Sequence, residues 1–462
     1  GDHVFYSANL KLDLLKETHK ASKEEVPIFN NLANKVEKFL GLQDGIQSQN
    51  ETEIHKALQS AVLNSGPVHI NVPFDEPLYN RVEELTISPK PFKLPDTEVT
   101  VVTSVIDECS KIWENATRKL VLVGVLQPNS IEQDVLDVLV KDEGVVILTE
   151  TTSNLHHQDI FPGIDKLIAP LDEAGFQKLQ PDILLTLGGL IVSKKVKRFL
   201  RDYKPAYHWH VNKYNANDTF FALDRHISIS PSAFFRSFLP KVNQTVKSDY
   251  KNYWLMIRDK RRRLHNDYLR AIPFSDFTVF NQILDNLPID SQLQVGNSSA
   301  IRYTQLFQMR NDIIVFCNRG TSGIDGSTST AIGASVVSKK RVTFITGDLS
   351  FFYDSNALWN NYIPNDFNII VLNNNGGGIF RILPGHKNTD NFDTYFETKH
   401  NLNASDLSKM FGFEYTSVKN DAELSTALDS FYDVSDNPKL LEIFTPSTEN
   451  DKILLDYFKF IS

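Results

Sequence analysis

Cysteine is scarce: Cys109 and Cys317 are the only two in 462 residues. That excludes a disulfide framework and fits a reducing compartment such as the cytoplasm. Long apolar runs are also missing. The stretch from Ile183 to Val192 is broken by Gly188 and Gly189 and falls short of the roughly 18 residues a membrane helix needs, so no membrane partner is expected. Positive charge is not in excess, with 48 Lys and Arg against 57 Asp and Glu for a net charge of −9, which argues against nucleic acid as a partner. There is no fixed-period repeat, and the opening Gly1-Asp2-His3 has neither a methionine nor a signal-peptide pattern. What remains, 41% hydrophobic and 23% charged residues, describes a globular chain long enough for about three domains.

Short apolar runs alternate with helical patterns, the signature of α/β layers. Glu51 to Leu63 reads as a helix and Ile28 to Leu42 as an amphipathic one. They precede a single buried-strand run, Gly66-Pro67-Val68-His69-Ile70-Asn71-Val72-Pro73, while residues 12 to 50, rich in Lys, Glu, Asn and Gln, read as a surface insertion. Pro89, Pro91 and Pro95 mark a linker. Between about 96 and 245, strands are expected at Lys119 to Val125, Val145 to Glu150, Ile183 to Gly188 and Ala206 to Val211. This is a Rossmann-like order, but Gly124 stands alone where a dinucleotide fingerprint would place three glycines. Tyr250 to Arg270 reads as a connecting helix whose Arg258, Lys260, Arg261, Arg262 and Arg263 form a solvated face. From about 275 to 462, strands are expected near Gln294 and at Ile313 to Cys317, Val342 to Thr346, Asn368 to Leu372 and Leu440 to Phe444.

The densest chemistry lies in this last part. Thr346-Gly347-Asp348-Leu349-Ser350 and Asn373-Asn374-Asn375-Gly376-Gly377-Gly378, with Asn374 lying 26 residues on from Asp348, each end a buried strand with a carboxylate or amide followed by glycine. Strand C-termini of a parallel sheet line the ligand crevice. A carboxylate, an amide oxygen and a backbone carbonyl freed by glycine are hard ligands, suited to Mg²⁺ holding a diphosphate near helix N-termini. Alternatively, Asn373 to Gly376 is a polar turn after an edge strand. His208-Trp209-His210 and His156-His157 lack a third ligand at zinc spacing and read as structural or exposed. Cys317 reads as a packed thiol.

The spaced Gly-Asp and Asn-Asn pair resembles the diphosphate motif of thiamine diphosphate-dependent enzymes. Four strings in order resemble, more narrowly, the 2-succinyl-5-enolpyruvyl-6-hydroxy-3-cyclohexene-1-carboxylate synthase family of menaquinone biosynthesis: Gly296 to Arg302, Asn318 to Gly326, Gly347 to Ser350 and Asn375 to Phe380. The resemblance implies a thiamine diphosphate-binding fold of parallel sheets flanked by helices. It implies a C-terminal remnant of a pyrimidine-binding domain at 1–85, a central Rossmann-like domain at 96–245 and a diphosphate domain at 275–462. It also implies a transferase that decarboxylates 2-oxoglutarate and joins the resulting succinyl semialdehyde-thiamine adduct to isochorismate, working as a homodimer or homotetramer. Acetolactate synthase or decarboxylase chemistry, or a catalytically silent binding subunit, are the alternatives.

The same resemblance implies that Asp348, Asn374 and the Gly376 carbonyl hold Mg²⁺ or Mn²⁺, with Gly347, Leu349, Ser350 and Gly377 completing the cofactor cradle. Ile324 would prop the cofactor in its bent form, as catalytic residue together with Arg302 and Arg319. Ser298, Arg302, Arg319, Lys194 and Lys195 would receive substrate carboxylates, and Phe380 and Leu383 would wall the pocket. Ser298 and Arg302, four apart, are expected on one helix face. Core packing would equally explain Ile324, Phe380 and Leu383, and surface ion pairs the arginines. One expected part has no candidate. The family's activating glutamate ends an early strand, whereas Glu17, Glu24, Glu25, Glu37, Glu51 and Glu53 all sit in polar helical or loop-like contexts. The run His3 to Leu10 resembles chain well after that glutamate, so roughly the first hundred residues of the enzyme are expected to precede Gly1.

Overall fold

A computed structural model describes residues 6–9, 42–64, 66–72, 83–84, 88–94, 103–242, 246–382, 389 and 391–462. It divides into two units, Gly1–Thr100 and Val101–Ser462. In the first, strand β1 (Tyr6–Asn9) pairs in parallel with β2 (Val68–Asn71), and a helix spans Leu42–Asn64. The expectation of one strand is therefore corrected to two. β1 is short and mixed in polarity, so its pattern was too weak to read. The helix begins nine residues before Glu51 and takes in part of the segment read as a surface insertion. Glu51 and Glu53 lie on it, Glu51 accepting from the Gln47 side chain at 3.0 Å. The helix expected from Ile28 lies, apart from Leu42, outside the described residues.

The second unit holds two six-stranded, all-parallel sheets. In chain order the first is built from β3 (Lys119–Val123), β4 (Val145–Thr149), β5 (Phe161–Pro162), β6 (Ile183–Leu187), β7 (Tyr207–Val211) and β8 (Arg225–Ile227), arranged β5-β4-β3-β6-β7-β8. The second comprises β9 (Gln292–Val295), β10 (Ile314–Cys317), β11 (Val342–Gly347), β12 (Asn368–Asn373), β13 (Glu414–Val418) and β14 (Lys439–Phe444), arranged β10-β9-β11-β12-β14-β13. The edge strands β5, β8 and β13 escaped the sequence reading because they are brief or mostly polar. Every residue of β3, β4 and β6 is buried, because helices cover both faces. Successive side chains alternate: Leu120, Leu122, Val146 and Leu184 join one core, Val121, Val123, Ile147 and Leu185 the other. No helix among the described residues is long and apolar enough to cross a membrane.

The helix Tyr250–Ala271 is not the solvated connector expected. Trp254 is fully buried, Arg261 is 7% exposed and His265 is 5% exposed, hydrogen-bonded to the Tyr457 hydroxyl at 2.7 Å. Arg258 and Arg261 face protein because the helix packs between the two sheets' helical layers, whereas Lys260, Arg262 and Arg263 are exposed as expected.

Asn154 braces the two sheets. It follows a short 3₁₀ turn after β4 with φ of 50°, a conformation asparagine tolerates better than most residues. Its amide donates to the Leu126 and Val315 carbonyls, both at 3.1 Å, and its oxygen accepts from the Val315 N–H at 2.8 Å. Val315 lies on β10, an edge strand, so the asparagine satisfies backbone groups that a further strand would otherwise take. Asn154→Ala should lower unfolding free energy by about 2–3 kcal/mol in urea melts, from an unpaired N–H plus left-handed strain. A loss under about 0.5 kcal/mol would mean that the brace is dispensable.

Candidate active site

In sheet order β10-β9-β11-β12, four consecutive strand ends carry the motif residues. Asp348 opens a helix directly after β11 and is 3% exposed. Its Oδ1 accepts from the Leu349 N–H at 2.7 Å and its Oδ2 from the Gly376 N–H at 3.0 Å, which binds the two motifs together. His400 Nε2 lies 3.2 Å from the same Oδ2, outside hydrogen-bonding geometry. Gly376 is buried at φ of 142°, and a Cβ there would meet the Glu397 carbonyl at 2.6 Å, so this position admits only glycine. Gly377 donates its N–H to the same carbonyl at 2.6 Å.

Asn374 donates from Nδ2 to Asp276 Oδ2 at 3.0 Å, leaving its buried Oδ1 without a partner. An orphaned, oriented amide oxygen beside a buried carboxylate is what a hard cation requires, so Asp348 and Asn374 fit Mg²⁺ or Mn²⁺. The Gly376 carbonyl accepts from the Gly378 N–H at 3.0 Å, which leaves a lone pair for a cation. Asp276 was not foreseen. It is buried, accepts from Thr445 Oγ1 at 2.5 Å, and is pushed up to about 6 chiefly by burial. Only the fold brings it 98 residues along the chain to Asn374.

Ser298 is not on a helix face with Arg302. The helix covers only Ser299–Thr304, and Ser298 precedes it at φ of 70°, a strained conformation for serine. Gly296 forces this turn's closeness, since a Cβ there would meet Thr346 Oγ1 at 2.8 Å. Arg302 has a buried Nε with no partner among the described residues, and burial holds its guanidinium below the usual range. Arg319, after β10, donates to Asn297 Oδ1, and the Asn297 amide donates to the Gly323 carbonyl at 2.9 Å. Ser350 Oγ donates to the Ile324 carbonyl, so the glycine-rich loop carrying half-buried Ile324 is tied to the Asp348 helix.

The first sheet contributes from its own strand ends. Lys194 and Lys195 open the helix Lys194–Asp202. Burial lowers Lys195, whose ammonium stands 3.7 Å from the Phe458 ring and feels Asp165 and Arg302. Lys197, unforeseen, is half-buried and feels Glu150 and Arg319, whereas Lys194 and Lys195 are both exposed by surface area, Lys195 being crowded only around its ammonium. Phe380 is half-buried, 5.8 Å from the Phe396 ring; Leu383 lies outside the described residues. The histidines behave as structural: Thr186 Oγ1 bonds both His208 and His210, at 2.9 and 2.8 Å, and burial pushes each down to about 4. No group of three or more metal-ligating His, Cys, Asp or Glu exists among the described residues. Burial pushes the Cys317 thiol up to about 12, as suits packing.

Glu150, directly after β4, is the third unforeseen residue. Its carboxylate accepts from the Val192 and Ser193 N–H groups at 2.7–2.8 Å, yet burial pushes it up to about 7, with Arg319 opposing. The folded protein therefore holds a proton there between about pH 4.5 and 7 that the unfolded chain has released, so stability falls as pH rises through that window. Glu150→Gln should flatten that fall by on the order of 3 kcal/mol, read from urea unfolding at pH 5 and pH 8. An unchanged slope would place the titration elsewhere.

Parallel strand ends that gather Asp348, Asn374 and the unpaired Arg302 at one edge of the sheet fit a thiamine pyrophosphate enzyme. Residues 294–443 match the family model described as "Thiamine pyrophosphate enzyme, C-terminal TPP binding domain". The chain is 50% identical to a 2-succinyl-5-enolpyruvyl-6-hydroxy-3-cyclohexene-1-carboxylate synthase from Flavobacterium johnsoniae, over 90% of this chain and 76% of that protein. It is 48% identical to one from Christiangramia forsetii, over 100% of this chain and 78% of that protein, and 34% identical to one from Porphyromonas gingivalis, over 88% and 72%. The chain belongs to the 2-succinyl-5-enolpyruvyl-6-hydroxy-3-cyclohexene-1-carboxylate synthase family.

Proposed function

We propose that this protein is a transferase that decarboxylates 2-oxoglutarate and adds the remaining four-carbon unit to isochorismate, making 2-succinyl-5-enolpyruvyl-6-hydroxy-3-cyclohexene-1-carboxylate for menaquinone biosynthesis. The observation that carries this reading is the buried, unpartnered Arg302 Nε, on the helix after β9, at the sheet edge where β11 and β12 deliver Asp348 and Asn374. An uncompensated guanidinium is costly unless an anion completes it, and both substrates are carboxylates. When bound, thiamine diphosphate supplies the nucleophilic carbon and the electron sink. Asp348, Asn374 and the Gly376 carbonyl hold its Mg²⁺ or Mn²⁺, with Gly347, Leu349, Ser350 and Gly377 around the diphosphate. Ile324 supports the cofactor's rings from its tethered loop.

Arg302 and Arg319 orient substrate carboxylates, with Ser298, Lys194 and Lys195 as further donors at the rim. Phe380 and Leu383 exclude water, which favours loss of a charged carboxylate. In the same reading, 1–85 is the C-terminal remnant of a pyrimidine-binding domain, and 96–245 and 275–462 serve as the central and diphosphate domains. The protein works in the cytoplasm as a homodimer or homotetramer.

Arg302→Gln should raise the KM for a dicarboxylate substrate at least about tenfold, with cofactor affinity unchanged by calorimetry. Release of carbon dioxide from pyruvate rather than 2-oxoglutarate would overturn the substrate assignment. Asn374→Ala should weaken Mg²⁺-dependent thiamine diphosphate binding about tenfold or more while the thermal midpoint stays within a few degrees. Cofactor affinity that ignores both this change and chelation of the metal would exclude Asn374 as a ligand.

A further inference from the structure

The arginine run of the helix Tyr250–Ala271 lines a cavity of about 400 Å³ between that helix, the segment from His157 to Leu167 and Gln308. That volume lies in the range of small-molecule sites. Four cations face it, Lys166, Arg258, Arg261 and Arg262, against one lining carboxylate, Asp159. Asp259, on the same helix, compensates in part by pairing with Arg258 and Arg262.

The cations are held in place mainly by neutral acceptors. Arg258 Nη1 donates to the Gln158 and Ile160 carbonyls at 2.6 and 2.8 Å, and its guanidinium lies over the Phe161 ring at 5.4 Å. Arg261 donates to the Lys166 and Leu167 carbonyls, and Arg262 reaches Gln308 at 3.5 Å. Carbonyls satisfy hydrogen bonds and fix geometry but carry no net charge to offset the guanidiniums. Lys166 has no carboxylate partner among the described residues, and burial together with Arg262 pushes its ammonium down to about 8. Its stem folds across Gly163, where a Cβ would meet the lysine Cε at 2.7 Å. Lys166 thus brings a half-buried cation without a carboxylate partner to the cavity wall, which raises the question of what offsets it.

We propose that this cavity is a binding site for a small organic polyanion, a polycarboxylate or a phosphate ester, held by Lys166, Arg258, Arg261 and Arg262 and distinct from the Arg302 crevice. The ligand's negative groups complete the ammonium of Lys166 and the free edges of the guanidiniums, and Gln308 supplies an amide at the rim.

The test is calorimetric titration of the holoenzyme, saturated with Mg²⁺ and thiamine diphosphate, with citrate and separately with glycerol 2-phosphate, each probe pre-equilibrated at the same free Mg²⁺ and corrected by a protein-free titration because citrate chelates the cation. The expected result is binding of at least one probe with a Kd below about 1 mM. Which one binds tells carboxylate from phosphate recognition. Lys166→Met and the half-exposed Arg262→Gln should each weaken it about tenfold or more, and Arg302→Gln should leave it unchanged. Since Lys166→Met removes an unpaired charge, its thermal midpoint should not fall, which separates lost binding from lost folding. The proposal is overturned if neither probe binds, if binding survives both cavity changes, or if it is lost only with Arg302→Gln.

Discussion

Parallel pairing is the constraint on which the rest depends. Each strand of a parallel sheet must return by a crossover, so all strands of a sheet end on one edge, and each end is followed by a turn into a helix. In the second sheet this puts Gly296, Arg319, Asp348 and Asn374 at neighbouring openings although they span 79 residues of chain. In the first sheet it puts Glu150 and the segment from Val192 to Lys197 on one edge. Asn154 and the helix Tyr250–Ala271 then join the sheets, the asparagine by reading β10's backbone and the helix by burying Trp254 and His265.

Burial of charge follows from this arrangement. Arg302, Lys195 and Lys197 are each partly stripped of water, and each feels Glu150 or Asp165. Those two acids come from the first sheet's strand and helix ends, and Asp165 accepts from Ser193 Oγ at 2.5 Å. They keep the cationic cluster from being wholly uncompensated before substrate arrives, without neutralising any arginine by direct pairing. A direct Arg302 ion pair would have been more stable and would have cost the site its capacity to take an anion. Asp276 acts similarly beside the proposed metal ligands: it engages Thr445 and Asn374, and so leaves the amide oxygen of Asn374 without a protein partner.

Much of this was legible in the sequence where the signal is local. The Asp348 and Asn374 motifs carry their chemistry within a few residues of a strand end, and a run such as Leu184-Leu185 leaves little choice of structure. Asp276 and Glu150 carry no such mark. Each looks like an ordinary acid at a helix start or a strand end, and it becomes distinctive only when the fold brings Asn374, or Val192 and Ser193, against it. Ser298 misled because the four-residue spacing to Arg302 presumes a helix already under way, whereas the close approach of Gly296 to Thr346 delays its start by one residue.

The helix Tyr250–Ala271 shows the same limit from the other side. A run of one lysine and three arginines on consecutive positions ordinarily means solvent, because burying any one of them unpaired costs several kcal/mol. Here Arg261 is buried because the carbonyls of Lys166 and Leu167, in the buried last turn of a short helix, need donors as much as the guanidinium needs acceptors. Sequence composition registers the charge but not the unpaired carbonyls that await it. A charge run next to a short, uncapped helix end is therefore better read as a packing element, and the cation left over after the carbonyls are satisfied is the one to ask about.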